Sequence, residues 1–144
     1  MRTAVLLSIP VIFFACQSSP SADQSAEGEA SAHCYRKVTG KDTFELQLVV
    51  DDNDVKGVLE YNFFEKDKNK GTVSGTLNDN IFRGTYHFTS EGVTSDRPVV
   101  FKMMGEQLYE AVYNDIDSNG VAVFAKDDAH LKFDPSPYSK TDCK

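Results

Sequence analysis

Positive charge is in short supply in this chain. Its 15 Lys and Arg stand against 22 Asp and Glu, a formal net charge of −7 at pH 7. No basic stripe interrupts that balance, which argues against nucleic acid as a partner and against electrostatic attraction to a membrane. No apolar run reaches the roughly 20 residues that a membrane-spanning helix needs. The cysteines show no CxxC spacing and the histidines no cluster, so a zinc site is not expected. A glycine-rich phosphate loop, a G-x-S-x-G and an HExxH are all missing. His33, His87 and His130 fall in no recognisable catalytic motif, and each reads as an exposed or cap-like histidine. The expectation is a protein that is not an enzyme and carries no cofactor.

What is present begins at the N-terminus. Arg2 precedes a mostly apolar run, AVLLSIPVIFFA, of residues 4–15, which has the layout of a secretory signal. Pro10 inside it argues against a stable helix. The run stops at Phe13-Phe14-Ala15-Cys16, which resembles the lipobox of bacterial lipoproteins: a small residue, then the cysteine that receives the lipid. Phe13 and Phe14 depart from the more usual Leu and small residue. Cleavage after Ala30-Ser31-Ala32 competes, but that site lies further past the apolar run than such sites normally do. The three cysteines support the lipid reading, because an exported chain with three leaves one unpaired. With Cys16 lipidated, Cys34 and Cys143 remain as a pair bracketing the domain in an oxidising compartment. Two free thiols or a metal site are the alternatives. Residues 17–32, QSSPSADQSAEGEASA, hold no large apolar residue and read as a disordered tether with a reach of about 20–25 Å. The predicted organisation is a signal peptide over 1–15, lipidated Cys16 and tether over 16–32, and one domain over 33–144. Gln17 lacks the acidic character linked to inner-membrane retention, which points to the outer membrane. The membrane is then a partner through the lipid alone.

The remaining residues have no helical periodicity and fall into short alternating runs separated by turn residues. Strands are predicted over 35–39, 43–50, 55–64, 72–77, 82–89, 99–103, 107–113 and 121–126, with an extended piece near 130–133. Turns fall at Gly40-Lys41-Asp42, at Asp51-Asp52-Asn53-Asp54, at Asn78-Asp79-Asn80 and at Ser118-Asn119-Gly120. Short turns between successive strands imply an all-β domain. It would be a single antiparallel up-and-down meander of about eight strands, closed or partly open as a small lipocalin-like barrel. Alternation turns Val55, Gly57, Leu59, Tyr61 and Phe63 inward, then Val73, Gly75 and Leu77, then Phe82, Gly84, Tyr86 and Phe88. A tight turn at 78–81 sets Leu77 opposite Phe82, Gly75 opposite Gly84 and Val73 opposite Tyr86. A longer turn over 65–71 would set Phe63 opposite Val73 and Tyr61 beside Gly75. Facing glycines need a reason, either sharp curvature with an aromatic over the glycine or space for a ligand.

The run VLEYNFFEKDKNKG from Val58 to Gly71, followed by Gly75, Gly84-Thr85-Tyr86-His87-Phe88, Ser90-Glu91-Gly92 and Arg97, resembles a family of small uncharacterised lipoproteins of Bacteroidetes and related Gram-negative bacteria. The likeness covers roughly residues 34–113 and departs at Tyr109-Glu110-Ala111-Val112-Tyr113. It implies an envelope address and no particular chemistry.

Candidate sites are few. Phe44, Tyr61, Phe63, Gly75, Phe82, Gly84 and Tyr86 would line a ligand space inside the barrel. Residues 90–97 read as a long rim loop in which Glu91 and Arg97 would hold a polar group or pair with each other. Asp115-Ile116-Asp117-Ser118-Asn119-Gly120 matches the first half of a calcium loop through Asp115, Asp117 and Asn119. Its twelfth position, however, is Lys126 in place of an acid, and Asn119-Gly120 is already a good hairpin turn. Two functions follow as expectations. One is a binding module for a small apolar ligand; the other is an envelope interaction module or inhibitor of lytic enzymes that acts through its loops.

Overall fold

A computed structural model describes residues 30–66 and 68–143. The signal-like run, Cys16 and most of the tether lie outside the described residues. Seven strands follow in succession: β1 (Ser31–Thr39), β2 (Asp42–Asp51), β3 (Asp54–Asn62), β4 (Lys68–Asn78), β5 (Ile81–Ser90), β6 (Val93–Met104) and β7 (Gln107–Val112). Each is antiparallel to the one before. The chain then makes an excursion through β8 (Asp115–Ile116), β9 (Ala122–Val123), a 3-10 turn at Asp128–His130 and β10 (Lys132–Phe133). It returns as β11 (Tyr138–Thr141), which pairs with β7 on one side and β1 on the other. The result is an eight-stranded closed antiparallel barrel in meander order. Closure leaves the barrel without a free sheet edge at β1 or β7.

The interior follows the alternation. Leu46, Leu48, Val55, Leu59, Val73, Phe82, Tyr86, Phe101, Leu108 and Tyr138 are fully buried. The β4–β5 register has Leu77 opposite Phe82, Gly75 opposite Gly84 and Val73 opposite Tyr86, as the pattern predicts. Cys34 and Cys143 form a disulfide across 109 positions of sequence. Cys34 sits opposite Thr141 in the β1–β11 ladder, so the bridge reinforces the seam where the barrel closes.

Four expectations need correction. The β3–β4 hairpin turns earlier than predicted, so Tyr61 faces Asn69, Val55 faces Gly75 and Gly57 faces Val73. Lys68-Asn69-Lys70 is therefore strand and not loop, because both lysines lie outward beside Glu60, at 3.7 and 3.2 Å. Residues 90–97 are not a long loop. Ser90 pairs with Val93 across a two-residue turn in which Glu91 (φ 49°) and Gly92 (φ 77°) are both left-handed, as a type I′ hairpin turn requires. The predicted strand at 121–126 supplies only β9, paired with β8 outside the barrel, and the eighth staff is β11 instead. Only Tyr138 is apolar in Tyr138-Ser139-Lys140-Thr141, so that short strand has almost no alternation signal of its own. Finally, β1 starts at Ser31, so the last tether residues already pair, opposite Val50 and Val49.

The two ends of the barrel differ. At the end holding Ser31, the turns are stitched to their neighbours: Leu77 N–H donates to Asn53 O, Met103 N–H to Asn80 O and Lys140 N–H to Glu106 O, at 2.8–2.9 Å. At the other end β6 and β7 part. Their pairing runs only from Phe101–Glu110 to Met104–Gln107, which leaves the first half of β6 bonded along β5. The excursion covers the outside of the β5–β7 wall from beside this parting towards the stitched end. Phe124, Leu131 and Phe133 pack on Ile81, Val100 and Ala111, while Arg83 donates to Ala125 O and pairs with Asp128 at 2.5 Å.

A candidate ligand cleft where the barrel wall parts

The parting of β6 and β7 opens a cleft of about 550 Å³. Tyr61, Phe63, Phe88, Arg97 and Glu110 reach it from inside the barrel, Val112 from the end of β7, and Tyr113, Ile116 and Phe124 from the excursion. A second depression of about 320 Å³ shares Tyr61, Phe63, Glu110 and Asp134 and extends to Lys37 and Phe44. The volume is within the usual range for small-molecule sites, roughly 300–1,000 Å³.

The cleft owes its polarity to four charged residues at inward positions. Lys37, only 8% exposed, donates to Asp134 Oδ2 at 2.6 Å. That hydrogen bond, helped by the Ser136 N–H, holds the Asp134 carboxyl below the usual carboxylate range. Glu110 faces inward opposite Phe101 and accepts from two phenols: Tyr61 Oη to Oε1 at 2.5 Å and Tyr138 Oη to Oε2 at 2.7 Å. Burial first, and then the Glu110 charge, push both phenols well above the usual tyrosine value. Their protons therefore stay in place as donors. Tyr86 donates to Leu59 O at 3.1 Å, and burial lifts its phenol to about 12 against the pull of Arg97.

Arg97 is the fourth. It stands opposite Tyr86 on β6, and its guanidinium carbon lies 5.2, 5.3 and 4.7 Å from the ring centres of Tyr61, Tyr86 and Phe88. Among the described residues it has no ion-pair partner within 4.0 Å and no side-chain hydrogen bond. Stacking on aromatic faces is favourable for a guanidinium but leaves its N–H edge free.

The predicted lining divides. Phe44, Tyr61 and Phe63 are at the cleft end, in edge-to-face or stacked contact with one another. Phe82, Gly75 and Gly84 are at the stitched end and line neither depression. A Cβ on Gly75 would stand 2.1 Å from Arg83 O, and one on Gly84 would stand 2.6 Å from the Phe82 ring. The facing glycines therefore serve close backbone approach and curvature, with the Phe82 ring over Gly84. Tyr86 is fully buried and lines neither depression; it lies beneath Arg97. Glu91 and Arg97 do not form one site, since Glu91 is at an exposed turn tip and Arg97 is inside the wall.

The calcium-like run forms the β8–β9 hairpin. Asp117 Oδ1 accepts from Asn119 N–H and Val121 N–H at 2.8 and 2.9 Å, so its carboxylate is turned onto its own loop. No group of three metal-ligating side chains converges among the described residues. His87 pairs with Asp96 at 2.5 Å and His130 with Asp127 at 3.1 Å, all on exposed outer positions.

Sequence reading missed Lys37, Glu110, Asp134 and Tyr138. The alternation of β1 does turn Lys37 inward with Tyr35, and a charge at an inward position is the signal that marks it. No protein-family model, curated protein or solved structure matches this chain.

Proposed function

We propose that this chain is a lipid-anchored protein of the bacterial cell envelope whose barrel binds a small molecule without chemical turnover. The observation that carries the binding reading is the cleft between β6 and β7, floored by aromatic rings and roofed by the excursion. Both oxygens of its most central carboxylate, Glu110, are held by phenols, an arrangement suited to rigidity and not to proton transfer. The anchor reading is supported by the lipobox-like Phe13-Phe14-Ala15-Cys16 and by the Cys34–Cys143 bridge, which leaves Cys16 as the remaining cysteine. The likeness to small Bacteroidetes-type lipoproteins points the same way, as does Gln17 for the outer membrane. Ser31 lies at the stitched end, so the chain from Cys16 would enter the barrel at the end opposite the cleft.

The test uses purified protein and the neutral dye N-phenyl-1-naphthylamine. Saturable fluorescence enhancement is expected, and Val112→Trp, which fills the cleft from its rim, should abolish it. An unsaturable signal, or one indifferent to Val112→Trp, overturns the binding reading.

One observation favours the second reading, a protein-interaction or inhibitor module. Tyr113 and Ile116 are each 50% exposed and Val112 is 45% exposed, so the end of β7 and the start of the excursion present an apolar edge. Under that reading, substitutions on β8 and β9 would abolish co-purification of an envelope protein while Val112→Trp left dye binding intact.

A further inference from the structure

Of the charged groups lining the cleft and the depression beside it, all but one are matched, Asp96 by His87 on the outer face. Lys37 and Asp134 neutralise each other. Glu110 is held by Tyr61 and Tyr138. Arg97 has only ring faces: it is half-buried, and its N–H edge opens to the cleft with no anion or acceptor of the described residues upon it.

Resting on the binding reading above, we infer that the cleft selects an apolar carboxylate of fatty-acid type, its head on Arg97 and its body against the apolar lining. The geometry has two parts. The rings of Tyr61, Tyr86 and Phe88 hold the guanidinium carbon within 4.7–5.3 Å of their centres, which fixes the fork before a ligand arrives. A planar fork of this kind matches a carboxylate through two parallel N–H donors. Beyond it, the cleft walls are mainly carbon: Phe63, Phe88, Val99, Val112 and Phe124 all line it. Glu110 and Asp134 stand in the same cleft and repel a second negative charge, so a single anionic head is favoured over a dianion.

The experiment titrates purified protein with cis-parinaric acid and with its methyl ester, read by polyene fluorescence, at a pH where the acid is ionised. The acid should bind roughly tenfold to a hundredfold tighter, the range expected of a charge-assisted hydrogen-bonded pair. Arg97→Met keeps an apolar stem against the rings and should lower acid affinity to that of the ester while ester affinity holds. Arg97→Lys should restore part of the difference. Thermal unfolding of each variant checks the fold, and the wild-type ratio of acid to ester stands without any variant. Equal binding of acid and ester by the wild type, or a preference that survives Arg97→Met, overturns the carboxylate assignment and leaves the cleft as a neutral binding site. Binding of neither probe overturns the proposed function itself.

Discussion

The two ends of the barrel use the same alternating pattern for opposite purposes. At the stitched end the inward positions are Leu48, Val55, Phe82, Phe101 and Leu108, and nothing there is left to bind. At the cleft end the inward positions are Lys37, Tyr61, Arg97 and Glu110, and the wall is open between β6 and β7. Apolar inward residues satisfy one another by contact alone, so such a wall can close. Charged ones need partners of particular geometry. An end lined with them stays open until each has its partner, and here one charge has none within the described residues.

Several experiments would break or sharpen this contrast. The largest effect is expected at the seam: Cys34→Ser removes a link across 109 positions, worth about 4–5 kcal/mol by chain entropy, and should lower the denaturation midpoint accordingly. Phe82→Ala at the filled end should cost about 3–5 kcal/mol in chemical denaturation and leave dye binding unchanged, because Phe82 lines neither depression. Glu110→Gln at the open end replaces one acceptor oxygen with a donor facing a phenol, so it should cost about 1–3 kcal/mol and also weaken dye binding. If the two substitutions affected binding equally, the division into a filled end and an open end would fail.

Titration gives a further handle. Tyr61 and Tyr138 have folded values raised above 10.0, so the stability they supply is present below pH 10 and lost as pH rises through their folded values. Tyr138→Phe should flatten that alkaline loss in a stability–pH profile. Asp134 has a lowered value, so its contribution is present above about pH 4 and is lost as pH falls through its folded value; Lys37→Met should shrink that acid limb to the part the Ser136 N–H supplies. The smallest effect is expected on the outer wall, where Arg36→Ala breaks an exposed pair with Glu45 and should change stability by less than about 1 kcal/mol.

Much of the barrel was legible because period-two alternation is a local property. Val73–Tyr86, Gly75–Gly84 and Leu77–Phe82 could be paired from a single tight turn. The β3–β4 register was not legible in the same way. A run of mixed charge, Glu65 to Lys70, suits a loop and an outward strand face equally, and only Glu60 across the ladder separates the two. The cleft was legible in part. Phe44, Tyr61 and Phe63 announce themselves as inward aromatics, whereas Glu110 and Tyr138 meet across 28 positions and Lys37 and Asp134 across 97.

By itself, then, the sequence determined the all-β class, the inward faces of β3, β4 and β5 and the cysteine pair, since these depend on alternation, turn chemistry and counting. Only the tertiary structure decided that β11 and not residues 121–126 closes the barrel, that β6 and β7 part, and that Arg97 stands over three rings. Those outcomes depend on which distant segments compete for the same strand edge, and no local pattern records that competition.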